Sequence, residues 1–134
     1  MGRVMRSMPA RLEPLTLVAT AEAIRAYSEI TGDFNPIHID PVFAATTPMG
    51  GIIAHGTMSL SLIWEALSRA VGPERIAKAS FEARFLAPVR LDDLVTVDGV
   101  QRADQPGVFD VWARTASTRV VEGVAHVPVA VDDT

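Results

Sequence analysis

Gly56-Thr-Met-Ser-Leu-Ser-Leu-Ile-Trp-Glu-Ala-Leu-Ser-Arg-Ala-Val71 is the most strongly helical stretch of this 134-residue chain. Leu60, Ile63, Leu67, Ala70 and Val71 fall on one stripe, and Leu62, Trp64 and Ala66 carry apolar character around most of the cylinder. A helix apolar on so much of its surface has to be enclosed by other elements. Ser59, Ser61 and Glu65 break the run, so it reads as a buried helix and not as a membrane span. Gly72-Pro73 stops it.

What encloses the helix lies downstream, where the period changes to two. Phe81, Ala83 and Phe85 alternate with Ser80, Glu82 and Arg84, and Val95, Val97 and Gly99 alternate with Thr96 and Asp98. After a turn at Gln105-Pro-Gly107, Phe109, Val111 and Ala113 alternate with Asp110, Trp112 and Arg114. Val121, Gly123, Ala125 and Val127 then alternate with Glu122, Val124 and His126. Four strands joined by short turns predict an antiparallel sheet with one buried face. The sheet needs a cover and the helix an enclosure, which gives an α+β fold with the sheet wrapped around residues 56–71.

Upstream, Leu15-Thr-Leu-Val18 is a short first strand and Thr20 an N-cap for a helix from Ala21 to Thr31. Ala23, Tyr27 and Ile30 form its apolar side, opposite Glu22, Arg25 and Glu29, and Gly32 closes it. Asp40-Pro41 starts a second, short helix over 42–46. Residues 1–134 make one domain, with 1–14 expected as a loose arm.

Composition narrows the function. Hydrophobic residues make up 49% of the chain, too many for a disordered one. A net charge of −4 with no basic run argues against nucleic acid. The absence of cysteine removes disulfides and thiolate chemistry and fits a cytoplasmic protein. Met1-Gly-Arg-Val-Met-Arg-Ser-Met8 has no apolar segment of the secretory kind, and Arg6 stands where myristoylation needs Ser or Thr.

Chemically capable side chains gather in Thr31-Gly-Asp-Phe-Asn-Pro-Ile-His-Ile-Asp40 and in Ala54-His-Gly56. His38, His55 and His126 show no close ligand spacing, so no metal is expected. Asp33, His38 and Ser59 or Ser61 supply the residue types of a nucleophilic triad, without the Gly-x-Ser-x-Gly elbow. Asp33 and His38 can also serve as an acid–base pair if the turn at Asn35-Pro36 folds both inward. The Gly56 N–H, at the first turn of the long helix, is then placed for a developing oxyanion. The plainer alternative makes Asp33 and Asn35 turn formers, His38 a satisfied loop histidine and Asp40 an N-cap. His55 is left open between the two, the freedom of Gly56 to let a ligand approach its backbone counting for more.

Tyr27-Ser-Glu-Ile-Thr-Gly-Asp-Phe-Asn-Pro-Ile-His-Ile-Asp40, then Phe43-Ala and Gly50-Gly-Ile-Ile-Ala-His-Gly56, closely resembles the hydratase signature of the MaoC-like family, which includes the (R)-specific enoyl-CoA hydratases. The resemblance covers about a quarter of the chain and implies a hot-dog fold paired into a homodimer, with the site near the subunit interface. It also implies that Asp33 and His38 activate a water and deliver a proton, that Asn35 orients them, and that Gly56 grips a thioester carbonyl. The implied substrate is a trans-2-enoyl thioester of CoA or of acyl carrier protein, hydrated to the (3R)-3-hydroxyacyl thioester without a cofactor. Two positions depart from the pattern: Thr57 precedes Met58, and Trp64 stands where some members have a serine, with Ser61 nearby. Ser61, Trp64 and His55 are accordingly candidates for substrate binding, Trp64 by narrowing the acyl tunnel.

Two rival functions use the same fold: an acyl-CoA thioesterase, and a non-catalytic acyl-binding partner subunit. The retained Asp33/Asn35/His38 pattern disfavours both. Arg69, Arg75, Lys78, Arg84 and Arg90 form a loose basic group, read as solvated surface.

Overall fold

Burial along α4 (Gly56–Val71) sets the architecture: Met58, Ser59, Ile63, Ala66, Leu67 and Val71 are buried, and Leu60, Leu62, Trp64 and Ala70 pack against them at the margin. In the computed structural model, which describes residues 3–4 and 7–132, β1 (Arg3–Val4) and β2 (Leu15–Val18) precede α1 (Ala21–Thr31), α2 (Pro36–Ile39) and α3 (Pro41–Ala45). After α4 come α5 (Pro73–Ile76), β3 (Ser80–Phe85), β4 (Leu94–Gln101), β5 (Val108–Arg114), β6 (Arg119–His126) and β7 (Val131–Asp132).

β2 to β6 form one antiparallel five-stranded sheet in the order β2-β4-β5-β6-β3. Its inner face supplies Val95, Val97, Phe109, Val111, Ala113, Val121 and Ala125 to a core shared with α4. The α+β, sheet-around-helix arrangement read from the periodicity is therefore the observed fold. Its strand order differs from a simple meander. β4, β5 and β6 follow one another through short turns, but β3 sits at the far edge, paired along its length with β6, from Ser80 opposite His126 to Phe85 opposite Val121. Residues 86–93 carry the chain from that edge to β4.

Two local expectations are corrected. The segment from Ala10 to Leu12 is held on the sheet: Gln101 N donates to Ala10 O at 2.8 Å, Leu12 N to Gly99 O at 2.9 Å, and Leu12 is 2% exposed. Arg11 pairs with Asp98, and β1 pairs with β7, so the loose arm is not what the described residues show. On α1 the buried residues are Ile24 and Ser28, while Ile30 is 82% exposed, because the helix turns its 24/28 side to the core. At Gly72-Pro73 the stop signal also starts α5, proline taking a position where its missing N–H costs nothing. Arg75 in α5 is buried and donates to Val129 O at 2.8 Å.

Candidate active site

The polar loop is built by consecutive caps. Thr20 Oγ1 accepts from Ala23 N and starts α1, and Gly32, at φ 75°, ends it in the left-handed region open to glycine. Asp33 Oδ1 then accepts from Asn35 N at 3.1 Å, and Asn35 Oδ1 accepts from Ile37 N at 3.1 Å, capping α2. Asp40 Oδ1 accepts from Val42 N and Phe43 N and caps α3, as its sequence position predicts. The single turn of α2, unread in the sequence because it is one turn long, carries His38.

This relay fixes both members of the pair. His38 Nδ1 lies 2.7 Å from Ile53 O. A carbonyl only accepts, so Nδ1 carries the proton and the neutral ring presents its lone pair at Nε2. Nε2 is 3.9 Å from Asp33 Oδ2, too long for a hydrogen bond and short enough for both atoms to reach one water. The His38 side chain is 10% exposed and that of Asp33 52%, so the imidazole is sheltered while the carboxylate faces outward.

His55 lies beneath them. Its ring stacks on His38 with centroids 3.8 Å apart at 24°, and the Tyr27 ring lies 4.9 Å away, tilted by 57°. His55 Nε2 lies 3.0 Å from Asp33 O and 3.1 Å from Ser28 Oγ, so Nε2 carries the proton and donates to that carbonyl. Among the described residues Nδ1 is sealed without a partner, and His55 is 3% exposed. His55 is thus a buried platform under His38 and Asp33, and it also borders the cavity beside Gly56. The missed signal was Ser28, whose burial on α1 gives the ring its polar neighbour.

Asp33, His38 and His55 do bring three potential ligand atoms within 4.8 Å of one another. They make a poor metal cage. Stacked imidazoles point their in-plane lone pairs side by side and not at one point, and His55 Nε2 is already engaged.

Gly56 opens α4, so its N–H is among the first amides of the helix, which lack intrahelical acceptors, and lies at the positive end of the helix dipole. A Cβ placed on Gly56 would come within 2.8 Å of the Phe85 ring, so glycine here is also what lets β3 approach. A cavity of about 350 Å³ opens beside Gly56, between Met49, Ser59, Phe85, Val89 and Val121. Ser61 is elsewhere: its hydroxyl donates to Thr57 O at 2.9 Å and, with Tyr27, it lines a separate hollow between α1 and α4. Trp64 packs on Phe81, ring centroids 6.4 Å apart, and is not part of the wall beside Gly56. Neither side chain therefore belongs to the wall beside Gly56. The basic residues do not converge either: Arg69 pairs with Glu65, Arg84 with Glu122, and Arg90 donates to Met49 O.

Residues 7–123 match the family model described as MaoC like domain. The chain belongs to the MaoC-like domain family. Among relatives of this MaoC-like protein, a 3-hydroxybutyryl-CoA dehydratase of Methylorubrum extorquens is 47% identical over 72 residues, which cover 53% of this chain and 45% of that protein. The match thus spans less than half of that relative. A 3-hydroxyacyl-thioester dehydratase Z of Mycobacterium tuberculosis is 32% identical over 112 residues, covering 79% of this chain and 74% of that protein. The solved (R)-hydratase from A. caviae involved in PHA biosynthesis superposes with a TM-score of 0.73 at 27% identity, over 92% of this chain and 98% of that one. This MaoC-like chain therefore shares the hot-dog arrangement of those hydratases.

Proposed function

We propose that this MaoC-like protein interconverts trans-2-enoyl thioesters and (3R)-3-hydroxyacyl thioesters, on CoA or on acyl carrier protein. The observation that carries the reading is the facing of Asp33 Oδ2 and His38 Nε2 across 3.9 Å, with the His38 tautomer fixed by Ile53 O. A water held between them loses a proton to the pair as its oxygen bonds to Cβ, and the pair returns a proton to Cα on the same face. Nothing else is consumed, and the reverse sequence is dehydration. The Gly56 N–H donates a hydrogen bond to the thioester oxygen as charge collects there, drawing electrons from Cβ; a donor of this kind contributes about 3 kcal/mol. Asn35 orients both partners, its backbone N–H donating to Asp33 Oδ1 and its side chain capping the helix of His38.

The working unit is a homodimer. Support comes from apolar side chains left at the surface around the site: Phe34 46%, Phe43 44%, Phe85 58% and Leu86 46% exposed. The free edge of β3 adds to it. Among the described residues no helix is long and apolar enough to cross a membrane, and we place the protein in the cytoplasm on its lack of cysteine. One assay separates hydration from its rivals. With crotonyl-CoA the enoyl absorbance should fall without release of free thiol; thiol release would identify a thioesterase, and no change in either a silent acyl-binding subunit.

A further inference from the structure

Three serines lie on α4, and two are satisfied in the same way. Ser61 and Ser68 donate to the carbonyls of Thr57 and Trp64, four residues back, at 2.9 and 2.7 Å. Ser59 is 4% exposed, yet among the described residues its hydroxyl has no hydrogen-bond partner. Nor is it sealed in the way that His55 Nδ1 is, so a molecule in the cavity beside Gly56 can reach it. Apart from His55, whose Nε2 is engaged by Asp33 O and Ser28 Oγ, the other side chains there are apolar, among them Leu86, Val89, Val120 and Val121. A buried hydroxyl among such walls is costly unless a ligand completes it.

We infer that this cavity is the acyl pocket and that Ser59 selects acyl groups carrying an oxygen at C4 or C5. The inference rests on the reading of Gly56 as the amide that holds the thioester carbonyl. Ser59 stands three residues further along the same helix, a rise of roughly 5 Å, which is about the span from a thioester carbon to C5 of an extended chain. An unsubstituted chain would desolvate the Ser59 hydroxyl and give it nothing in return, whereas a hydroxyl or keto oxygen at that depth pairs with it. Phe85, 58% exposed and with its ring against Gly56, stands at the mouth.

The test uses saturated thioesters, which bind without reacting. Calorimetric titration of wild type, Ser59→Ala and Ser59→Thr with 5-hydroxypentanoyl-CoA and with its isostere hexanoyl-CoA gives a preference ratio for each protein. Wild type should favour the hydroxylated chain about tenfold, Ser59→Thr should retain a preference, and Ser59→Ala should bring the ratio to about one or below. Equal ratios in wild type and Ser59→Ala, a wild-type preference for hexanoyl-CoA, or no binding of either ligand would overturn the inference. Hydration of crotonyl-CoA by wild type is read separately. Its absence with the preference intact rejects the hydratase reading alone, and its presence with equal ratios rejects only the role of Ser59.

Discussion

The loop from Thr31 to Gly56 and the outer face of the sheet use polar residues in opposite ways. In the loop the groups that aim the pair each serve a single partner. Asp33 Oδ1 takes Asn35 N, Asn35 Oδ1 takes Ile37 N, and His38 Nδ1 meets Ile53 O. On the sheet the side chains share partners. Glu122 meets both Arg84 and Arg119, Arg119 also lies 4.5 Å above the Trp112 ring, and Arg102 bridges Asp110 and Gln105. Backbone ladders already hold the strands, so these side-chain pairs add little. The loop has no ladder, and its geometry is only as good as each single bond. Aim is therefore concentrated where redundancy is lowest.

Substitutions can break or sharpen that contrast. His38→Ala should lower kcat for crotonyl-CoA hydration by about 10³-fold, and Asp33→Asn by a similar factor, with the melting temperature nearly unchanged. A comparable loss of stability would contradict the division between aiming and holding. The sheet's weak point is backbone closeness: a Cβ at Gly123 would lie 2.3 Å from Glu82 O, so Gly123→Ala should cost about 3 kcal/mol in urea unfolding. Asn35→Ala removes one cap and should cost about 1 kcal/mol, yet lower kcat by about 10²-fold through misplacement of His38. Equal effects on both quantities would make Asn35 merely structural.

Asp110→Asn should do least. Hydrogen bonds from Arg102 hold the Asp110 carboxyl below its ordinary range, assisted by the guanidinium charge and opposed by desolvation. A lowered carboxyl contributes stability above its unfolded pKa and loses it as pH falls through the folded value, so the window lies below about pH 4. With the side chains 35% and 50% exposed the contribution is small. Urea midpoints of wild type and variant should differ slightly at pH 7 and converge as pH falls through the folded value of the carboxyl; a gap that widens in acid would reverse the sign.

Legibility in the sequence follows the same division. The apolar circumference of α4 and the period-two strands announce a sheet around a helix, because burial writes periodicity into long elements. Caps at Thr20 and Asp40 are equally plain, since one side chain and the next few residues decide them. The pair Asp33/His38 can be named, but not its tautomer, which depends on Ile53 O, fifteen residues away. The surroundings of His55 and Ser61 are not legible in the sequence, and Ser59 cannot be told from its neighbours, for a related reason. Which way a helical serine or a loop imidazole points is settled by what packs against it, and those partners come from other elements. The position of β3 is hidden too, because its alternation fits an edge as well as a neighbour of β4.

That edge position bears on how the molecule is made. As the chain leaves the ribosome, β3 emerges before β4, β5 and β6, and the only strand it joins in the sheet is the last of them. Its pairing closes a long loop, a slow class of event in folding. Until then Phe81 and Phe85, and the apolar side of α4 behind them, stay unprotected against other nascent chains. Synthesis of this protein should accordingly be most prone to aggregation in the interval between the emergence of β3 and the completion of β6.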